Sequence, residues 1–185
     1  RDGEQTSGVS FLPHEKLVIA RMLLKDVNVD RIEVASARIS EGEKDAVTMI
    51  CRYARQIDML GKVEVLGFVD GKRSIDWIES CGCRVMNLLV KGSERHCVKQ
   101  LQKTAGEHIA DILRSLEYAR DRGIAVNVYL EDWSNGMKHS PEYVYRMLDI
   151  LVKTNVSRFM LPDTLGILNP LQVIEFMRKM IKRYP

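Results

Sequence analysis

The sequence predicts a parallel α/β fold. Short β-branched runs alternate with longer amphipathic stretches, and several of those runs are apolar at consecutive positions, as in Val85-Met86-Asn87-Leu88-Leu89-Val90. A strand buried on both faces reads that way. The spacing between the runs is that of strand–helix units rather than hairpins. Strands are expected over residues 31–36, 62–69, 84–90, 124–131 and 158–163, with helices over 14–27, 43–60, 74–81, 105–122, 141–153 and 170–183, in strict alternation. The helix from Ala105 carries Ile109, Ile112, Leu113, Leu116 and Ala119 on one stripe with charges opposite. Ser140-Pro141 and Asn169-Pro170 each place an N-cap residue before a proline in the first turn.

With 185 residues the chain is long enough for one domain with a sizeable core. Apolar residues make up 45% and charged residues 29%, which excludes disordered, collagen-like and fibrous chains. The formal net charge of +3 is too small to argue for a nucleic-acid or membrane surface, so neither is expected as a partner. No run approaches the roughly 18 apolar residues of a membrane span. Cys51, Cys81, Cys83 and Cys97 follow neither a C-x-x-C nor a zinc-ligand spacing, and a reducing, cytoplasmic setting is the default. Cys81 and Cys83 flank Gly82, where a turn with buried thiols is expected.

Such a sheet closes either as a doubly wound open sheet or as part of a (β/α)8 barrel. Composition does not choose between them. Gly67, Gly92 and Gly166 stand alone, without the G-x-G-x-x-G of a dinucleotide site. In either closure, chemistry gathers at the carboxyl ends of the strands. That rule selects Arg1, Asp2, Gln5, Ser36, Phe68, Asp70, Asn87, Leu89, Tyr129, Glu131, Asp132, Asp163 and Thr164.

Arg1 beside Asp2 can hold an anion and a divalent cation side by side, or form an ordinary loop ion pair. Glu131 follows an apolar strand; apolar walls would raise its pKa toward that of a general base, and the alternative is a capping acid. Asp163-Thr164-Leu165-Gly166 can receive a substrate carboxylate on a hydroxyl and free amides, or be a plain strand-to-helix turn. Leu66, Phe68 and Leu89 can wall a small apolar pocket or simply fill a core. His14, His96, His108 and His139 make no H-x-H or H-x-x-x-H pair and are expected on the surface.

Arg1-Asp2-Gly3-Glu4-Gln5 resembles the signature that follows the first strand of the DRE-TIM metallolyases. That group contains the 2-isopropylmalate, homocitrate and citramalate synthases and hydroxymethylglutaryl-CoA lyase. The likeness continues through Asp30-Arg31-Ile32-Glu33-Val34-Ala35-Ser36, Leu66-Gly67-Phe68-Val69-Asp70-Gly71, Asn87-Leu88-Leu89, the stretch Asn127 to Gly136, and Leu161 to Gly166. It implies a (β/α)8 TIM barrel, of which residues 1–185 form an incomplete N-terminal portion, about strands 2 to 6 with their helices. Strands 7 and 8 and a C-terminal regulatory domain are expected outside it.

Within the group the chain is most similar to citramalate synthases. It has Glu33-Val34-Ala35-Ser36 and Asn87-Leu88 where isopropylmalate synthases usually carry Glu-Ala-Gly-Phe-Pro and His followed by Thr or Ile. The resemblance implies condensation of acetyl-CoA with pyruvate to citramalate and CoA, in branched-chain amino-acid biosynthesis. Isopropylmalate or homocitrate synthesis are the alternatives, then a hydroxyacyl-CoA lyase or an inactive fragment. By the same resemblance Asp2 is a ligand of a divalent metal (Mg, Mn or Zn), completed by a His-x-His pair outside these residues. Arg1 steadies the keto oxygen and enolate; Glu131, with Tyr129 beside it, takes part in removing the acetyl proton. Thr164 grips the keto-acid carboxylate, Leu66, Phe68 and Leu89 surround the methyl, and Gln5 and Asn87 complete the substrate site. A cytoplasmic homodimer is implied.

Overall fold

Five parallel strands form one sheet in the computed structural model, which describes residues 1–185. The strands are β1 (Ile32–Ser36), β2 (Val63–Phe68), β3 (Val85–Lys91), β4 (Ala125–Glu131) and β5 (Arg158–Met160), and they pair in chain order. A doubly wound sheet reverses its strand order at a switch point; an order that never reverses is that of a barrel wall. The molecule is therefore a parallel α/β arc of the TIM-barrel kind.

The connecting helices are α1 (Pro13–Arg21), α2 (Glu41–Gln56), α3 (Arg73–Ser80), α4 (Glu94–Leu101), α5 (Ala105–Asp121), α6 (Trp133–His139), α7 (Pro141–Leu151) and α8 (Pro170–Arg183). Two of these, α4 and α6, break the expected strict alternation by adding a second helix after β3 and after β4. The expected helix over 14–27 is α1 followed by a π-helical segment, Met22–Val27, which Asn28 stops at φ 55°. The expected helix over 43–60 starts earlier, at Glu41, because Ser40 accepts the Glu43 amide as N-cap, and ends at Gln56. Asn169 caps α8 as predicted, accepting the Gln172 amide at 2.9 Å. Ser140 does not cap α7; its hydroxyl accepts the Glu94 amide at 3.3 Å and ties α4 to α7 instead.

The outer face of the sheet makes the core. Val63, Val65, Met86, Leu88, Val90, Val126, Val128 and Leu130 are fully buried against Ile50, Ile78, Ile112, Leu116, Met147 and Leu148 of the helices. Each such side chain contributes about 1.5–3 kcal/mol by leaving water. Cys51, Cys81, Cys83 and Cys97 are free thiols buried in the same layer, and Gly82 turns between two of them at φ 76°. No helix is long and apolar enough to cross a membrane.

His108 departs from its expected surface position. It is 2% exposed on α5, and its Nε2 accepts the Lys91 amide at 3.1 Å. Burial pushes its pKa down to about 4. The folded state thus binds fewer protons than the unfolded state between about pH 6.5 and 4, so stability falls as pH is lowered through that window. The loss is on the order of 3 kcal/mol. Urea midpoints against pH should show a steeper fall for the wild type than for His108→Gln, which does not titrate there; parallel curves would contradict it.

Candidate functional site

The inner face of the sheet is polar at its base and turns apolar before reaching a charged rim. Strand register fixes three rows. Ser36, Leu66, Asn87, Asn127 and Arg158 align across all five strands. Above them, toward the carboxyl ends, lie Phe68, Leu89, Tyr129 and Met160. Lys91 and Glu131 stand opposite each other at the top. The predicted wall residues Leu66, Phe68 and Leu89 therefore share the inward face, with Leu66 buried and the other two half-buried.

Asn87, Asn127 and Arg158 of the base row belong to a closed polar network. Glu64 is 3% exposed and accepts Asn87 Nδ2 at 3.0 Å and Asn127 Nδ2 at 3.2 Å, with the Arg31 and Arg158 guanidiniums at 3.2 and 3.5 Å. Asn127 also donates to Asn87 Oδ1 at 2.8 Å. Asn87 Nδ2 reaches Glu33 Oε2 at 2.6 Å, and the other Glu33 oxygen takes Arg1 Nε. A register shift between Glu33 and Ala35 marks a bulge in β1 at this point. Glu33 thus links Arg1 to the barrel interior. Sequence reasoning selected Arg1 and Asn87 but missed Glu33, Glu64, Asn127 and Arg158. The available signal was a charged residue between apolar neighbours on a strand, as in Ile32-Glu33-Val34 and Val63-Glu64-Val65.

Tyr129 sits in the field of the charged groups. Burial raises its phenol pKa; Arg1 opposes this, while Glu33, Asp2 and Glu131 add to it. Arg1, Asp2, Glu33 and Glu131 therefore all lie within electrostatic reach of the Tyr129 phenol. The surroundings of Glu131 differ from those expected. Its carboxylate is ion-paired with Lys91 rather than set against an apolar wall.

The residue after Glu131 is locked in place. Asp132 adopts φ 66° and is buried, with Ser93 Oγ and Asn135 Nδ2 each donating to its carboxylate at 2.7 Å and His96 Nε2 lying 3.4 Å away. The Asp132 amide donates to Thr164 Oγ1 at 2.9 Å, which leaves the exposed Thr164 hydroxyl proton free for a ligand. Thr164 lies beyond β5, which ends at Met160 instead of running to residue 163; Asp163 instead closes the following turn by accepting the Ile167 and Leu168 amides at 3.1 and 2.9 Å. Gly136 is obligatory here, since a Cβ on it would lie 2.0 Å from the Gly92 carbonyl oxygen. That close approach clamps α6 against the loop after β3.

Gln5 lines a cavity of about 210 Å³ with Arg1, Glu4, Ser36 and Glu43. Asp2 fits a hard divalent cation as a single ligand: its side chain is 78% exposed, with Arg1 Nη2 at 3.1 Å. No group of three His, Cys, Asp or Glu side chains that could hold a metal gathers within residues 1–185.

A parallel barrel wall with an Arg-Asp pair, a buried Glu–Asn layer and a carboxylate rim defines a class, and the chain belongs to it: the HMGL-like family matches residues 1–185. Over 179 residues it is 32% identical to (R)-citramalate synthase CimA of Methanocaldococcus jannaschii, covering 97% of this chain and 35% of that protein. It is 30% identical to 2-isopropylmalate synthase of Saccharolobus solfataricus (98% and 45% covered) and 32% identical to homocitrate synthase AksA of Methanopyrus kandleri (97% and 43%). The chain thus spans less than half the length of these relatives. Its fold matches the hydroxymethylglutaryl-CoA lyases of Pseudomonas aeruginosa (TM-score 0.77, 17% identity, 100% of this chain and 62% of that one) and Brucella melitensis (TM-score 0.68, 17% identity, 100% and 66%).

Proposed function

We propose that the protein condenses acetyl-CoA with pyruvate to give citramalate and CoA, and that residues 1–185 carry one side of its active site. The observation that supports this best is that Glu131 stands one register step above the inward row of Phe68, Leu89 and Tyr129, with Arg1 near enough to act on the Tyr129 phenol. In this reading Glu131 removes a proton from the acetyl methyl, and the resulting enolate carbon attacks the keto carbon. Arg1, held by Glu33, takes the charge that builds on the keto oxygen. Tyr129 stays protonated and orients the reacting groups; Thr164 receives the keto-acid carboxylate and Gln5 completes the polar side, whereas Asn87, fully buried with its amide donors and oxygen engaged, acts on the site through Glu33 rather than by touching substrate. A divalent metal, Mg, Mn or Zn, with Asp2 as one ligand, would polarise the ketone. Hydrolysis of the thioester then releases CoA.

The exposed apolar side chains of α1 (Val18, Ile19) and α8 (Leu171, Ile174, Ile181) flank the two edge strands and support closure by further strands, which would also bring the remaining ligands. Assembly as a homodimer in the cytoplasm is part of the same proposal.

Relatives that are isopropylmalate and homocitrate synthases make 2-oxoisovalerate and 2-oxoglutarate the competing acceptors. An apolar pocket discriminates by only about 1–3 kcal/mol per methylene, so rejecting a larger acid needs steric exclusion by Leu66, Phe68 and Leu89. Thiol release by the full-length protein should be at least tenfold faster in kcat/KM with pyruvate than with either competitor, a gap of about 1.4 kcal/mol. A preference for 2-oxoisovalerate would move the assignment to isopropylmalate synthesis.

A further inference from the structure

We propose that Lys91 is the cation that receives the acetyl-thioester oxygen as Glu131 takes the methyl proton. This rests on the condensation reading above and deepens it. Lys91 and Glu131 are register partners at the top of β3 and β4, and their side chains form an ion pair that is 16% and 26% exposed. The pair is pinned through its backbone. The Lys91 amide donates to His108, its carbonyl accepts the Tyr143 hydroxyl at 2.9 Å, and the Gly92 amide donates to the Glu131 carbonyl at 2.6 Å.

As a stabilising contact alone this pair is poorly chosen. A partly exposed ion pair adds little to stability, so stability alone gives no reason to hold an ammonium on this carboxylate. Enolate formation supplies that reason. The methyl C–H bond breaks, its proton goes to a Glu131 oxygen, and the electron pair forms the enolate C=C while the thioester oxygen becomes anionic. Negative charge leaves the carboxylate and reappears on an oxygen only two bonds from the carbon that lost the proton. The ammonium faces both positions without changing its own protonation. Its flexible stem lets Nζ follow the charge over that short distance. Lys91 thereby stabilises the product of proton removal, in a site where both groups are largely out of water.

The test uses the full-length protein, with wild-type thiol release from acetyl-CoA and pyruvate measured first. A wild type inactive with every keto acid would sink the condensation reading itself. With an active wild type, Lys91→Met should lower kcat about 100-fold, the usual cost of one oxyanion donor, with KM for pyruvate within about threefold. Its deuterium isotope effect with methyl-deuterated acetyl-CoA should rise, because proton removal becomes limiting. Lys91→Arg should retain kcat to within about tenfold. A Lys91→Met kcat within about threefold of wild type would overturn the proposal, as would equal losses in both variants without a larger isotope effect. Borohydride trapping of pyruvate on Lys91 would overturn it too, by showing a covalent role.

Discussion

Replacing Glu131 by Gln in the full-length protein is expected to lower kcat about 10³-fold, within the range a positioned general base supplies. The substitution keeps the side-chain shape, and its amide oxygen can still accept from Lys91 Nζ, so the register of β3 and β4 is kept. What disappears is the site that accepts the methyl proton. KM for the keto acid should change little, because the residues assigned to hold it, Arg1 and Thr164, are anchored by Glu33 and by the Asp132 amide rather than by Glu131. The melting temperature should also be nearly unchanged, since a partly exposed ion pair contributes at most about 1 kcal/mol. Thiol release under saturating substrates checks the prediction. A variant retaining a tenth or more of wild-type kcat would remove Glu131 from the role of base.

The parts of this molecule that the sequence discloses are those whose signal is local. Strands β2, β3 and β4 read clearly because residues such as Val85-Met86 and Leu88 are apolar without alternation, the mark of burial on both faces. The barrel-like winding was not legible from periodicity, because strand order is a tertiary property; only the family resemblance, running from the Arg1–Gln5 motif through Leu161 to Gly166, favoured it. Helix α4 escaped because Glu94-Arg95-His96-Cys97-Val98-Lys99-Gln100-Leu101 is mostly polar, with Cys97 its one buried residue; Ser93 starts it by accepting the His96 amide. Strand β5 is shorter than its apolar run because Pro162 has no amide to continue the ladder.

The site itself was half visible. Residues at the strand ends follow from a general rule of parallel folds, and Arg1, Tyr129 and Glu131 were selected as candidates that way. The partners that hold them were not, because a hydrogen bond between Glu33 and Asn87 joins residues 54 apart in sequence and leaves no trace in spacing. The same holds for the Lys91 ammonium, which turns the expected apolar surroundings of Glu131 into a charged pair.

Asn87 is the position where the polar layer is least tolerant of change. Its side-chain amide has two N–H donors, and the structure directs Nδ2 to two carboxylates, Glu33 at 2.6 Å and Glu64 at 3.0 Å, while Oδ1 accepts from Asn127. In Asn87→Leu the carboxylates lose those donors, yet Glu33 keeps Arg1, and Glu64 keeps Asn127 with the guanidiniums of Arg31 and Arg158. Asn87→Asp is worse: it replaces a donor with a third carboxylate facing two others in a buried setting. The expected loss in unfolding free energy is about 3–5 kcal/mol near pH 7, the cost of an uncompensated buried charge. Proximity of like charges raises the pKa of the introduced carboxyl in the folded state above its unfolded value of about 3.9. The folded state then binds the extra proton first, so the deficit shrinks as pH falls toward that value. Urea unfolding of the full-length variants at pH 7 and pH 5 should show Asn87→Asp recovering relative to Asn87→Leu. A deficit that stays constant with pH would mean that the lost N–H donors, rather than charge, make an amide necessary at the centre of this sheet.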